Sequence, residues 1–315
     1  MAQSGTLLKR LRAVGAAVFL GAAAFFSGAA FAQNAKLIET DWELKPSARV
    51  EFGAVSAETA TRDESIIVNG DAFTVRAQAS LVIEDEDTRI RLEVDRVEVF
   101  RLDDERDDVN RDRITADFNQ ELNEDFELQL RARYYDDLIT AESADTDEIQ
   151  GSARITYEPE RAHRLRVRGS WREREYDRGT GGQTTGQGPR IDVNYRHRLG
   201  RYHYANLDLR AESIDSDDPR RGYSRQSVKV SYTQPITRDA RVRPAFQYLN
   251  TRFDNRLNQD GERRHDQLVV PEVEFHWWPG KWRVEAEAKY LFTSSNLPSR
   301  QREGYRLTLS VGYVF

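Results

Sequence analysis

Gly304-Tyr305-Arg306-Leu307-Thr308-Leu309-Ser310-Val311-Gly312-Tyr313-Val314-Phe315 ends the chain. Tyr305, Leu307, Leu309, Val311, Tyr313 and Phe315 share one parity, and Arg306, Thr308, Ser310 and Gly312 share the other. Successive side chains of a β-strand point to opposite faces, so this stretch has one apolar, aromatic face and one polar face. Its length matches the ~9–11 residues that a tilted strand needs to cross a hydrocarbon layer.

The same alternation recurs upstream. Trp282, Val284, Ala286, Ala288, Tyr290 and Phe292 alternate with Arg283, Glu285, Glu287 and Lys289. Val269, Pro271, Val273, Phe275 and Trp277 alternate with Glu272, Glu274 and His276, and Phe126 to Tyr134 alternate with Glu127, Gln129, Arg131 and Arg133. Fourteen such segments are read, at 40–56, 72–84, 88–100, 111–121, 125–136, 147–158, 162–175, 189–199, 202–214, 222–234, 240–253, 266–278, 281–293 and 303–315. Connections near Asp85, Asn123, Glu160, Gly200, Thr237 and Pro279 are short. Those near Ala60, Asp104, Asp145, Gly182, Asp218, Gln259 and Pro298 are long and polar. Short periplasmic turns opposite long outer loops are the pattern of an outer-membrane barrel, and an even strand count puts both ends on the periplasmic side. The third segment breaks register near Arg96, where Val94 is followed by Val97 and Val99, and reads as a bulge. Pro46, Pro244 and Pro271 fall on the lipid-facing set and should each mark a bulge or strand end.

Composition agrees with export. Lys9, Arg10 and Arg12 precede an apolar run, Ala13 to Phe26, and the small-residue site Ala30-Phe31-Ala32. This is the order of a cleaved secretory signal, so the expected organisation is a signal peptide at 1–32 and one barrel domain at 33–315. The remainder holds 44 basic and 53 acidic residues, a net charge of about −9. There is no Cys, which excludes disulfides and thiolate metal sites. A soluble sandwich would also alternate, but it would not need strands this long or aromatics at both strand ends. Trp42, Tyr157, Tyr202, Tyr232, Trp277, Trp278, Trp282 and Phe315 lie at the short-turn end. Tyr134, Tyr135, Trp171, Tyr176, Tyr223, Phe253, Phe292 and Tyr305 lie at the loop end, as two interfacial girdles would. The fold class is therefore all-β: a transmembrane antiparallel up-and-down barrel of about fourteen strands.

The signal sequence, the alternating strands and the terminal Tyr313-Val314-Phe315 resemble the porin-like outer-membrane β-barrels of Gram-negative bacteria. The resemblance implies that Tyr305, Leu307, Leu309, Val311, Tyr313 and Phe315 form the signal read by the barrel-assembly machinery. It also implies a monomer embedded in outer-membrane lipid and lipopolysaccharide. The size and arginine content resemble the small monomeric porins for acidic oligosaccharides. No subfamily motif is present.

The inward parity carries the functional candidates. Arg131, Arg133, Arg154, Arg164, Arg166, Arg168, Arg172, Arg190 and Arg196 fall on consecutive strands as a basic wall. Asp208, Glu212, Glu272, Glu274, Glu285 and Glu287 are expected to form an opposing acidic wall. Segregated charge across a water-filled lumen sets up a transverse field, and guanidinium rows favour anions. The expected function is passive diffusion of small anionic solutes. The alternative is a narrow or plugged barrel in export or assembly of surface polysaccharide or lipoprotein, because fourteen strands lie between filled and open barrels. The five histidines have no metal-ligand spacing, and no cofactor, metal or nucleic-acid partner is expected. A rim hydrolase would need His265 with a nucleophile, which the sequence does not supply, so no enzymatic activity is expected. Gly179 to Gly188 reads as an external loop. The acids at Asp103, Asp104, Glu105, Asp107, Asp108 and at Asp215, Asp217, Asp218 read as solvated loop residues, with cation bridging to lipopolysaccharide as the other reading.

Overall fold

A computed structural model describes residues 42–58, 70–103, 108–138, 140, 145–176 and 184–315. The signal segment lies outside them. The strands are β1 (Glu43–Glu58), β2 (Gly70–Glu84), β3 (Thr88–Arg101), β4 (Val109–Asn123), β5 (Phe126–Asp136), β6 (Thr146–Glu160) and β7 (His163–Tyr176). They continue as β8 (Thr184–Gly200), β9 (His203–Ser216), β10 (Tyr223–Pro235), β11 (Ala240–Leu257), β12 (Arg263–Trp277), β13 (Trp282–Ser295) and β14 (Arg302–Val314). Each pairs antiparallel with its sequence neighbours, and β14 returns to β1 to close the fourteen-stranded barrel. At the seam Val50 stands opposite Tyr313 and Phe52 opposite Val311, and the Phe315 N–H donates to the Ala48 carbonyl at 2.9 Å.

Closure satisfies every sheet edge, which hydrocarbon requires. The outward parity is apolar: Phe52 is 60% exposed, Ile114 55% and Leu309 52%. The short turns are set by their own side chains. The Asp85 carboxylate accepts from the Asp87 and Thr88 amides, and the Asn123 amide oxygen accepts from the Asp125 and Phe126 amides. Such local acceptors favour tight turns.

Three local expectations change. First, β3 has no bulge at Arg96. Its ladders to β2 and β4 run without a shift, so Arg96 and Glu98 face outward as an ion pair at 2.9 Å. Val97 and Val99 turn into the lumen, where they cluster with Val55, Ala57 and Ala72. The apparent break is an exchange of polarity between faces near the loop end. Second, the prolines shift no register. The β12–β13 ladder lapses around Pro271, and the β10–β11 ladder lapses around Pro244, yet the same register resumes beyond each. Pro46 is paired with Leu81 inside a continuous ladder. A proline removes one donor, and at Pro244 and Pro271 the unbroken β11–β12 ladder on the other side holds the strand in place. Third, Gly186 and Gly188 belong to β8 rather than to an external loop. A Cβ on Gly188 would lie 2.1 Å from the Ser213 carbonyl oxygen, so glycine permits the close approach of β8 to β9 there.

Candidate functional site

Lumen-facing side chains divide the barrel interior into two halves. The loop half is filled. The largest fully buried side chains are Arg172, Tyr176, Tyr223, Ile214, Val97, Val99 and Thr146, and all lie there. Glu212 on β9 is the hub. It meets Arg172 of β7 at 3.2 Å and Arg225 of β10 at 3.4 Å, and it accepts from the Tyr223 hydroxyl at 3.1 Å. Arg174 joins Glu148 of β6 at 2.6 Å and reaches the Tyr223 hydroxyl at 3.3 Å, while Arg225 donates to Thr251 of β11 at 3.1 Å. Tyr223 also packs with Ile214 and Phe253, and Arg264 of β12 stacks 4.4 Å from the Phe253 ring centroid. The contacts thus run from β6 to β12, and the Val97 cluster lines β1 to β3.

Tyr135, Tyr176, Tyr223 and Phe253 were expected in the loop-end girdle. Tyr135 instead accepts from Arg133 at 2.9 Å, and the other three are buried in the lumen. Trp278 likewise leaves the turn-end girdle, donating to Glu285 at 3.2 Å beside the Arg241 and Arg283 guanidiniums. Tyr135, Tyr176, Tyr223 and Phe253 have the inward parity of their strands, which proximity to a strand end does not reveal.

The turn half is open. A cavity of about 610 Å³ is lined by Arg154, Arg164, Arg166, Arg168, Arg196 and Lys229, with Asn194, Asn206, Tyr204 and Ser231. The β-register makes this group compact. Arg164 stands opposite Arg196, Arg168 opposite Arg154, and Arg166 between Thr156 and Asn194. Among the described residues, Arg164, Arg166, Arg168 and Arg196 form no ion pair, and the buried Nε atoms of Arg154, Arg164, Arg166 and Arg168 have no hydrogen-bond partner. The two carboxylates in the wall are already engaged: Asp192 by Arg190 at 2.9 Å and Arg210 at 2.8 Å, Asp208 by Asn194 at 2.6 Å. Arg154 also pairs with Glu127 at 2.6 Å and borders a second cavity of about 470 Å³, whose wall carries Glu84, Asp85, Asp87, Glu121 and Glu127.

The nine arginines expected to act together therefore separate. Arg164, Arg166, Arg168, Arg196 and Arg154 line the vestibule together with Arg190, which is bound to Asp192; Arg131 is held by Asp117, Arg133 by Tyr135, and Arg172 is buried with Glu212. The expected opposing acidic wall does not form as a separate surface. Glu272 pairs with Lys229 and with Lys289 at 3.3 Å, Glu274 with Arg243, Glu287 with Lys289 at 2.9 Å, and Glu285 with Arg49 at 3.6 Å. Glu272, Glu274 and Glu287 each have a cation on their own or an adjoining strand, and Glu285 reaches Arg49 past β14, pairings invisible without the register. The acids near the β2–β3 and β4–β5 turns line the second cavity, which shares Arg154 with the vestibule. Glu272, Glu274 and Glu287 converge closely enough to hold a cation, but the lysines already neutralise them.

Other candidates stay apart. His265 bonds Asn250 at 2.5 Å, while Ser295 donates to Asp266 on the opposite face of the strands. His163 and His203 meet Tyr195 and Tyr232 at 2.7 and 3.2 Å, as girdle residues. Asp217 and Asp218 cap turns through the Thr185 amide and Arg221, and Asp104 to Asp107 lie outside the described residues.

A closed barrel with an apolar outer surface and a charged lumen is the architecture of outer-membrane β-barrels, and this chain has that fold. No protein-family model matches the sequence, and no curated protein matches it. Solved structures do. The fold is similar to outer-membrane OmpT of Vibrio cholerae, with TM-score 0.54 and 9% identity over 89% of this chain and 99% of that one. It is similar to the outer membrane channel DcaP of Acinetobacter baumannii, with TM-score 0.51 and 11% identity over 88% and 98%. It is also similar to a bacterial polysaccharide outer membrane secretin, with TM-score 0.52 and 7% identity over 85% and 98%. At these identities the likeness is one of fold.

Proposed function

We propose that the barrel is an outer-membrane channel for small anionic solutes, which it gathers in the arginine vestibule. The carrying observation is the cluster of Arg164, Arg166, Arg168 and Arg196 without a salt bridge among the described residues; Asp192 stands opposite Arg168 but is bonded to Arg190 and Arg210. Like charges on neighbouring strands oppose folding. An anion that bridges two guanidiniums offsets that cost and gains bidentate hydrogen bonds. Tyr204, Asn194, Asn206 and Ser231 add a ring face, amides and a hydroxyl, which suit a hydroxylated acid such as a sugar acid or sugar phosphate.

Calorimetry of the purified barrel with tripolyphosphate and with spermine tests the site. The anion should bind, and the triple substitution Arg164→Gln, Arg166→Gln, Arg168→Gln should abolish binding. Preference for spermine, or unchanged anion binding in the variant, refutes the reading. In planar bilayers the reversal potential should favour anions; a clear cation preference sinks the channel's anion selectivity. The filled loop half favours a second reading, a narrow barrel serving export of a surface polymer, which unchanged surface polymers in a deletion strain would exclude.

A further inference from the structure

The two halves of the lumen differ in access, and the proposed anion site lies in only one of them. The vestibule is bounded by Arg164 and Arg196, each at most a few residues from a short turn, and by Arg166 and Arg168 above them. The short turns mark the periplasmic mouth. On the loop side stands the Glu212 cluster. Its contacts combine cross-strand ladder pairs, Glu148 with Arg174, Glu212 with Arg225 and Arg225 with Thr251, with two that skip strands, Arg172 to Glu212 and Arg174 to Tyr223. Arg174 reaches Tyr223 across two intervening strands, so its contact is a chord of the barrel.

We infer that the vestibule is loaded from the periplasmic mouth and that the Glu212 cluster bars the loop side, which makes Glu212 the residue that decides whether an anion can cross the whole barrel. The inference rests on the anion-site reading but concerns direction and barrier. The physical reason for assigning the barrier to Glu212 is its position between two cations. Arg172 and Arg225 point at the same carboxylate from β7 and β10, and they would repel without it. Removing that one negative charge leaves two buried guanidiniums facing each other, and separation towards water is their route to relief. Glu212 is therefore the group that ties Arg172 of β7 to Arg225 of β10, beside the Arg174–Glu148 pair and the Tyr223 packing. Arg164, Arg166, Arg168 and Arg196, with no salt bridge among the described residues, line open space. An anion moving outward would arrive at Arg172 as a competitor for the same cation that Glu212 holds.

The native chain has no Cys, so Ser231→Cys places a unique thiol in the vestibule. The protein is inserted in vesicles, and its orientation is fixed by external proteolysis of the loops. Anionic sulfonatoethyl methanethiosulfonate is then supplied on one side or the other, and labelling is read by mass. Labelling should be confined to reagent on the turn side. On the Ser231→Cys background, Glu212→Gln and the double change Arg172→Ala with Glu212→Ala should both add labelling from the loop side. Equal labelling from both sides without those changes overturns the inference. So does turn-side labelling alone in both variants, once their heat-modifiable mobility shows that they are folded. If the double variant does not fold, the parent sidedness and Glu212→Gln still decide. The cationic trimethylammonioethyl reagent separates this result from the anion reading. A rate roughly tenfold or more below that of the anionic reagent supports the anion site. Equal rates from the turn side alone keep the sidedness and discard the anion site.

Discussion

Arg166 is predicted to destabilise the protein that contains it. It sits two residues from both Arg164 and Arg168 on β7, and Arg154 and Arg196 lie diagonally on β6 and β8. Strand rise places the first two ~6.6–6.8 Å away, and diagonal neighbours in a sheet lie ~7–8 Å away. Two unit charges at ~7 Å repel by about 0.6 kcal/mol in water and about 2.4 kcal/mol at an effective dielectric constant of ~20. Arg154 is paired with Glu127, so three such pairs count; weakened over a Debye length of ~8–10 Å, they leave about 1–4 kcal/mol against the folded state. No carboxylate ion pair offsets it among the described residues. Arg166→Gln keeps a polar side chain of similar reach and removes the charge, so it should stabilise by that amount at low salt. The assay is reversible urea unfolding from lipid vesicles, followed by tryptophan fluorescence. The gain should shrink towards zero at about 1 M salt, where the screening length is only ~3 Å. It should also vanish in wild type saturated with tripolyphosphate. A loss of stability at low salt, or a gain that salt leaves untouched, would refute the claim that the cluster is uncompensated.

Three other changes test other levels of the structure. Gly188→Ala puts a Cβ against the Ser213 carbonyl oxygen and should cost about 2–3 kcal/mol, the upper range for overpacking, whereas Gly151→Ala meets nothing within 4 Å and should be neutral; urea midpoints compare them. Phe315→Ala removes the edge-on contact with Tyr313 at 4.9 Å, worth about 0.5–1.5 kcal/mol, yet should sharply lower folded barrel in the outer membrane if the terminal strand is the assembly signal; cell-fraction blots against in-vitro stability separate the two effects. Asp137, in the β5–β6 loop, has its carboxyl pushed up from 3.8 to about 6 by burial and by a hydrogen bond to Asp145. The folded state then binds more protons than the unfolded state between those values, so stability should fall as pH rises from 3.8 towards 6. Asp137→Asn, which tolerates the left-handed backbone there (φ 58°), should flatten that slope in pH-dependent unfolding.

Strand number, direction and closure were legible because hydrocarbon and water impose a strict period of two. Tyr305 to Phe315 state their face residue by residue, and β14 adopts it. Turns were legible where Asp85 and Asn123 supply their own acceptors. What escaped depends on register. Arg172 and Arg166 look alike in sequence, both inward on one strand. One meets Glu212 two strands away, and the other stands between Thr156 and Asn194 with no salt bridge among the described residues. Likewise Glu272 reads as a wall charge until Lys229 and Lys289 are seen on either side. Tyr223 and Phe253 reads as interfacial when their parity is ignored, although parity alone assigns them to the lumen. The prolines escaped for a different reason: each strand has two ladders, and losing a rung of one is tolerated.

The seam between β1 and β14 carries one more consequence. Every other pairing joins strands consecutive in sequence, so each can zip up as a hairpin with little loop entropy lost. The seam alone must bring remote segments together. Midway along its lumen face Gly53 stands opposite Ser310 and Gly312 opposite Glu51, so each of these two pairs has a glycine with no side chain to interdigitate. Backbone hydrogen bonds in the dry layer are left to hold it. Unfolding should therefore begin as an unzipping of this one ladder, and the lifetime of the barrel in its membrane is set there rather than in the arginine-rich wall on the far side.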